Sequence, residues 1–501
     1  MSVWNFYKKA MSTSLKMGKS TSNHVASRVL NWQNATPRSV LNSGYYLNDD
    51  KIGDNLSGLK DYSSVCLPTD LEANDLQILG NGTMRLGNMF HPRQSREKYP
   101  FSIYDDSDET SVYRHTLLVG PPGTGKTHGI IIPALHSLLE NNYRVVVNDI
   151  KGNMLSGLRK YKQEIQVQSR VPAFIWNPFT SDRNQTRRWN PLNEIVNIHD
   201  DTTINAIVDA IIGSSSSQGQ QNTHFVERDQ RWLSNLIKLV KKENQFASLS
   251  DIYDLINNQP QLEAKILYQN APKIQGLNDL ADAENSHYVA GLANKLAIFS
   301  RLSVKYATSA SDFTIDYIIK NPGLLILHSP RAEGDEAFKT ASLIFSVMRA
   351  KIYENGELPV QNRWLIDEAG QIAPRLNMDQ DLDVIRSYNV GIFLAVQRLN
   401  QLGEHSYINY AANCLNKIIL NSVDERTAEF FSTTLGTKQV KKMTKTIDFR
   451  NKPQWQQSNE RVPVLEKSQI MYHPSDFGSY SGFFLHPQLA EGRPILLDFT
   501  R

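Results

Sequence analysis

The sequence predicts an α/β fold with a parallel-rich central sheet, interrupted by an inserted all-α module. Two observations carry this. Short β-branched apolar runs recur through most of the chain with helix-length segments between them, the pattern of strands buried on both faces by crossover helices. From residue 194 to residue 320 those runs vanish, and apolar residues recur at three- and four-residue spacing instead.

In chain order, residues 1–48 form a basic arm. Lys8, Lys9, Lys16, Lys19, Arg28 and Arg38 stand there without an acid, among many Ser, Thr and Asn. A solvated tail, a contact to lipid or partner, and an acid-poor targeting segment all fit that composition. Residues 49–110 read as loops and short strands ending in "YDDSDETS". The strand candidates then follow: "TLLVG" (116–120), "RVVVND" (144–149), "AFIW" (173–176), "LLILHS" (324–329), "WLIDE" (364–368), "GIFLAVQ" (391–397) and "KIIL" (417–420). Residues 111–193 and 321–501 form one α/β domain in this reading, with 49–110 as its extension and 194–320 as the inserted helical domain. Within the insertion, "SSSSQGQQNT" (214–223) reads as a linker. After residue 424 the reading is a helix, a basic loop "KQVKKMTKT" (438–446) and a last strand in "PILLDF" (494–499).

Composition bounds the function. The 501 residues suffice for more than one domain, and a net charge of +3, from 54 Lys and Arg against 51 Asp and Glu, leaves any polyanion site local. Cys66 and Cys414 are too few for a disulfide framework and fit a reducing compartment. No apolar run approaches the ~18 to 20 residues that span a bilayer, and no secretory signal is visible, so the expected location is cytoplasmic.

The most specific signal lies in "HTLLVGPPGTGKTHGIIIPALHSLLENN". Gly120, Pro121, Pro122, Gly123, Thr124, Gly125, Lys126 and Thr127 complete the phosphate-loop pattern between a strand and a helix. Its amides and the helix N-terminus cradle phosphate oxygens, Lys126 reaches the β and γ phosphates, and Thr127 ligates Mg2+. ATP and Mg2+ are therefore the expected ligands. In "RWLIDEAGQ" a strand ends on Asp367 and Glu368, where Asp367 would hold the metal through water and Glu368 would polarise the attacking water. The next strand ends on Gln397. A neutral amide there suits a phosphate contact, which a third acid would spoil, and equally suits a brace for the following loop; spacing does not choose between them.

Together "GPPGTGKT", "VVVNDIKGNM", "WNPLN", "WLIDEAGQI", "IRSYNVGIFLAVQRLNQL" and "DERTAEFFSTTLG" resemble the type IV coupling proteins, the VirD4/TraG/TraD class of conjugation and type IV secretion ATPases, over roughly residues 114–437. The resemblance implies a RecA-like P-loop motor domain, assembly as a hexamer, and nucleotide held at subunit interfaces. It assigns Gln397 as a γ-phosphate sensor, and Arg386 and Arg114 as arginines offered to a neighbouring subunit's nucleotide, a task suited to a permanently charged fork. It makes the helical insertion a cargo-recognising domain. The implied partners are DNA, mainly single-stranded and bound without sequence specificity, relaxase and relaxosome proteins, other type IV secretion ATPases and a membrane-anchored channel partner. The family's usual N-terminal transmembrane helices have no counterpart here, so the resemblance implies a soluble variant recruited peripherally to the membrane. The expected activity is ATP hydrolysis driving or licensing transfer of relaxase-bound DNA. The rival expectations are a DNA translocase outside secretion, FtsK/HerA-like, and a nucleotide-gated substrate receptor that hydrolyses little. The run "KQVKKMTKT" is a candidate DNA contact, with a solvated lysine face as the plainer alternative.

Overall fold

The computed structural model describes residues 84–90, 98–103, 114–152, 154, 172–213, 223–268, 277–281, 285–447, 453–472, 480–486 and 493–499. The basic arm, "YDDSDETS" and residues 214–222 of the Ser/Gln/Gly-rich segment lie outside them.

The β-branched runs form strands that pair in parallel. They are β3 (Thr116–Val119), β4 (Arg144–Asp149), β5 (Ala173–Trp176), β6 (Gly323–His328), β7 (Asn362–Ile366), β8 (Val390–Val396) and β9 (Asn416–Leu420). They stand side by side in the order β9-β3-β8-β7-β4-β6-β5. Four further strands extend this sheet antiparallel beyond β9: β12 (Ser481–Leu485), β13 (Ile495–Asp498), β1 (Met84–Phe90) and β2 (Lys98–Ile103). Both faces are covered, which is why the central strands read as continuous apolar runs rather than alternating ones. Leu117 and Val119 face one apolar core and Leu118 the other; Val146 is likewise separated from Val145 and Val147. The helix Ile132–Glu140 covers the second face, while Asp335–Asn355, Met378–Ile385 and the inserted helices cover the first.

Between β5 and β6 the chain is helical, including Asp201–Ile212, Thr223–Glu243, Leu249–Ile256, Gln259–Tyr268 and Ser286–Leu296. "WNPLN" is the joint that sends the chain into these helices. Trp189 is buried edge-on against Trp176 at 5.9 Å, and its indole N–H donates to Glu194 at 2.9 Å. Glu194 also accepts from the Ile315 amide at 2.9 Å, and Asn190 donates to the Ala247 carbonyl at 3.0 Å, so one short motif ties entry and exit together. Burial pushes the Glu194 carboxyl up, and these bonds oppose that shift.

One expectation is corrected. "KQVKKMTKT" is not a loop but most of β10 (Thr437–Ile447), which pairs antiparallel with β11 (Pro453–Pro463) over their whole lengths. This ribbon is a separate two-stranded sheet. Among the described residues, no helix is long and apolar enough to cross a membrane.

Candidate nucleotide site

Strand order decides which loops meet. β8 lies between β3 and β7, so the loops leaving β3, β8 and β7 emerge side by side at the carboxyl edge of the sheet, where ligands of open parallel sheets bind. The Gly120 amide donates to the Val396 carbonyl at 3.1 Å, fastening the phosphate loop to the end of β8.

Gly123 and Gly125 take φ of 82° and 85°, a region that side chains strain to enter. The Thr124 hydroxyl donates to the Pro121 carbonyl at 2.7 Å and closes the loop, with Pro122 exposed at its crest. The helical turn that follows, Lys126–Ile131, has no acid in its first turn to oppose its positive end. Lys126 is buried, and its ammonium donates to the carbonyls of Gly120 at 2.5 Å and Pro121 at 3.0 Å. Burial lowers its pKa, Lys151 adds to that, and Glu368 and Asp367 oppose it.

The Thr127 hydroxyl donates to an Asp367 carboxylate oxygen at 3.1 Å. Burial raises the Asp367 pKa, and the charge of Glu368 raises it further against the pull of Lys151, Thr127 and Lys126. Glu368 turns the chain at φ 57°, ψ 45°, a left-handed conformation that costs a non-glycine residue about 1–3 kcal/mol. The turn brings its carboxylate to Gln397, whose side-chain amide donates to both oxygens at 2.8 Å. A third group arrives from β4: the Lys151 ammonium stands 3.3 Å from the same carboxylate. The sequence places Lys151 within "VVVNDIKGNM" but assigns it no role by pattern. The available signal was its place just beyond the end of a central strand.

The Gln397 side chain thus reaches the carboxylate beside the phosphate loop, while the following loop is tied by Gln401, whose Oε1 accepts from the Gln397 main-chain amide at 2.8 Å. The residues fit a magnesium nucleotide. Gly123 has open space around it, Gly125 packs against the Tyr480 ring where no side chain would fit, and the Thr127 hydroxyl and Asp367 carboxylate face each other as a hard oxygen pair.

Arg114 and Arg386 do not join this cluster. Both precede their strands, at the sheet's amino edge, separated from the phosphate loop by the length of β8, roughly 20 Å. Arg386 is exposed, while Arg114 is 3% exposed and donates to the Arg386 carbonyl. Beside them, His115 accepts from the Ile392 amide on Nδ1 at 3.0 Å and therefore donates from Nε2 to the Leu382 carbonyl at 2.9 Å. That pairing ties β3 and β8 to the helix leading into Arg386, and burial lowers the His115 pKa to about 3.

Comparison with known proteins gives a consistent picture. The fold is similar to that of the bacterial conjugative coupling protein TrwB lacking its first 70 residues, in an unbound form, with TM-score 0.58, 16% identity, and 78% of this chain and 87% of that chain covered. It is similar to TrwB with the non-hydrolysable GTP analogue GDPNP over the same shares, again with TM-score 0.58 and 16% identity. For TrwB with ADP and Mg2+ the TM-score is 0.56, with 16% identity and coverage of 79% and 87%. No curated protein matched by sequence. Residues 86–472 match the family described as type IV secretory system conjugative DNA transfer, a span that includes the phosphate loop, Asp367, Glu368 and Gln397. The chain is a member of that conjugative DNA transfer family, with a RecA-like, mostly parallel central sheet and an inserted helical domain.

Proposed function

We infer that the chain is an ATP-hydrolysing coupling protein that recruits relaxase-bound DNA and drives or licenses its passage through a type IV secretion apparatus. The carrying observation is the convergence of Lys126, Thr127, Asp367, Glu368 and Gln397 at one edge of the sheet. Lys126 swings from the loop carbonyls to the β and γ phosphates of ATP, and the loop amides hold the remaining phosphate oxygens. Thr127, and Asp367 through water, would hold Mg2+, which would supply positive charge to offset that of the phosphates. Glu368 orients the attacking water and draws its proton. Gln397 holds the Glu368 carboxylate in place and, at the γ-phosphate edge, senses whether that phosphate is present. The chemistry is phosphoryl transfer to water, dominated by positioning and charge.

Arg386 serves in trans in this reading. Its place at the far edge of its own sheet, exposed, suits a ring in which each subunit's amino edge meets the next subunit's nucleotide, completing a hexamer. Arg114 then holds the Arg386 backbone rather than touching phosphate itself. The helical insertion receives cargo, and a membrane-anchored channel partner brings the cytoplasmic chain to the membrane. The test is plasmid transfer from donor cells expressing Lys126→Ala. Transfer should disappear while the protein remains folded, and transfer at the unaltered frequency overturns the motor reading.

A further inference from the structure

The ribbon β10–β11 pairs eleven positions on each strand without a break, from Thr437 against Pro463 to Ile447 against Pro453, a length of roughly 35 Å. It joins the body at its open end, where the Val464 amide donates to the Gly436 carbonyl at 3.0 Å and Ser432 to the Leu465 carbonyl at 2.7 Å. A ribbon with no apolar core beneath it would be expected to carry polar residues on both faces, and this one does. Its two faces nevertheless differ in charge.

Opposed residues share a face and alternate along each strand. One face holds Lys438, Val440 and Lys442 on β10 with Val462, Glu460 and Ser458 on β11, and its acid is engaged, Lys442 meeting Glu460 at 2.9 Å. The other holds Gln439 and Lys441 opposite Arg461 and Asn459, then Gln457, then Trp455 in register with Lys445. None of the described side chains on this second face is acidic. Gln439, Lys441, Gln457, Asn459 and Arg461 are exposed there, and Trp455 is 60% exposed. Large aromatics are seldom left so open in a strand, and the combination of an indole plate, permanent cations and amide side chains matches one polymer: flat bases on a negatively charged backbone.

We propose that this acid-free face of the β10–β11 ribbon is a docking surface for single-stranded nucleic acid, with a base stacked on Trp455 and the phosphate backbone running over Lys441 and Arg461. The proposal rests on the DNA-handling function above and names where the strand is held. Duplex DNA fits the surface less well, because its bases are already stacked and Trp455 gains no partner face. Sequence preference is weak, since every base offers a π-face and the amides of Gln439, Gln457 and Asn459 can donate or accept.

The test is fluorescence anisotropy of a labelled oligothymidylate titrated with the full chain across a range of salt. Trp455→Ala should weaken binding on the order of tenfold and Trp455→Phe should keep most of the affinity. Lys441→Gln combined with Arg461→Gln should make the logarithmic salt slope shallower by about 1.4, from ~0.7 for each phosphate no longer neutralised, while Lys442→Gln on the opposite face should leave that slope unchanged. If the unaltered chain binds and all these variants bind equally well, the ribbon assignment falls and the DNA-handling function stands. An unaltered chain that binds no oligonucleotide at low salt overturns both. Polyglutamate competing equally, with Trp455→Ala without effect, marks a site for acidic protein and overturns the proposal.

Discussion

Gln397 donates its side-chain amide to both carboxylate oxygens of Glu368, at 2.8 Å each, across 29 residues of sequence. The bond exists because β7 and β8 are parallel neighbours, so two residues just past their ends meet at one height. A neutral amide there fixes the acid without competing for its charge. A carboxylate at that position would instead force the pair to share a proton.

Removing that amide should therefore slow turnover more than binding. Gln397→Ala is expected to retain ATP affinity and lose turnover by roughly 100-fold, the scale on which small misplacements of a catalytic group act. Gln397→Glu should lose more, with an added pH dependence from the paired acids. Separate measurement of nucleotide affinity and phosphate release checks this; equal loss in both would make Gln397 a general structural brace.

Lys151 adds a prediction of opposite sign in stability and pH. Its ion pair with Glu368 is 43% exposed on the lysine side, so Lys151→Met should cost below about 1 kcal/mol of stability. Yet its charge also restrains the rise in the Asp367 pKa. Without it Asp367 stays protonated to higher pH, and the acid limb of the pH–turnover profile should move upward. An unmoved limb contradicts the assignment.

Arg386→Ala should lower turnover by roughly 1,000-fold or more if its guanidinium serves a neighbour's nucleotide. Mixing it with Lys126→Ala should then restore partial turnover, because some interfaces combine an intact loop with an intact arginine. Arg114→Ala should give a smaller loss through the displaced Arg386 backbone. Mixed assemblies no more active than either variant alone would remove the trans role.

Acid should destabilise the fold through two buried histidines. Burial lowers the pKa of His115 and of His486 to about 3 each, below the ordinary value near 6.5. The unfolded chain therefore binds protons that the folded chain refuses, and the stability these groups contribute is complete above about pH 6.5. It is lost as pH falls from there toward 3, by up to about 1.4 kcal/mol per pH unit for each histidine. Urea midpoints should decline through that window, and His115→Gln should reduce the slope. A flat midpoint would contradict neutral burial.

The sheet was legible in the sequence where strands are buried on both faces. β3 to β9 announce themselves as β-branched runs, and the phosphate loop, Asp367-Glu368 and Gln397 stand at their ends. The ribbon was not legible, because Lys, Thr and Gln on both faces erase the alternation that a half-buried strand displays. The antiparallel strands β12 and β1 each contain a glycine, and each lies between two neighbours of which one is far away in sequence, β9 for β12 and β13 for β1. The left-handed turn at Glu368, the reach of Lys151 and the His115 bonds that seat the Arg386 helix arise from tertiary placement alone.

The motor reading stands or falls on whether the cluster at the carboxyl edge hydrolyses ATP in the service of DNA movement. Steady-state phosphate release from Mg-ATP, with and without single-stranded DNA, measured for the unaltered chain and Glu368→Gln, decides this. The expected result is release that DNA stimulates, falling by about 100-fold or more in Glu368→Gln while nucleotide binding persists. Release that ignores DNA, or that continues unchanged in Glu368→Gln, would contradict it.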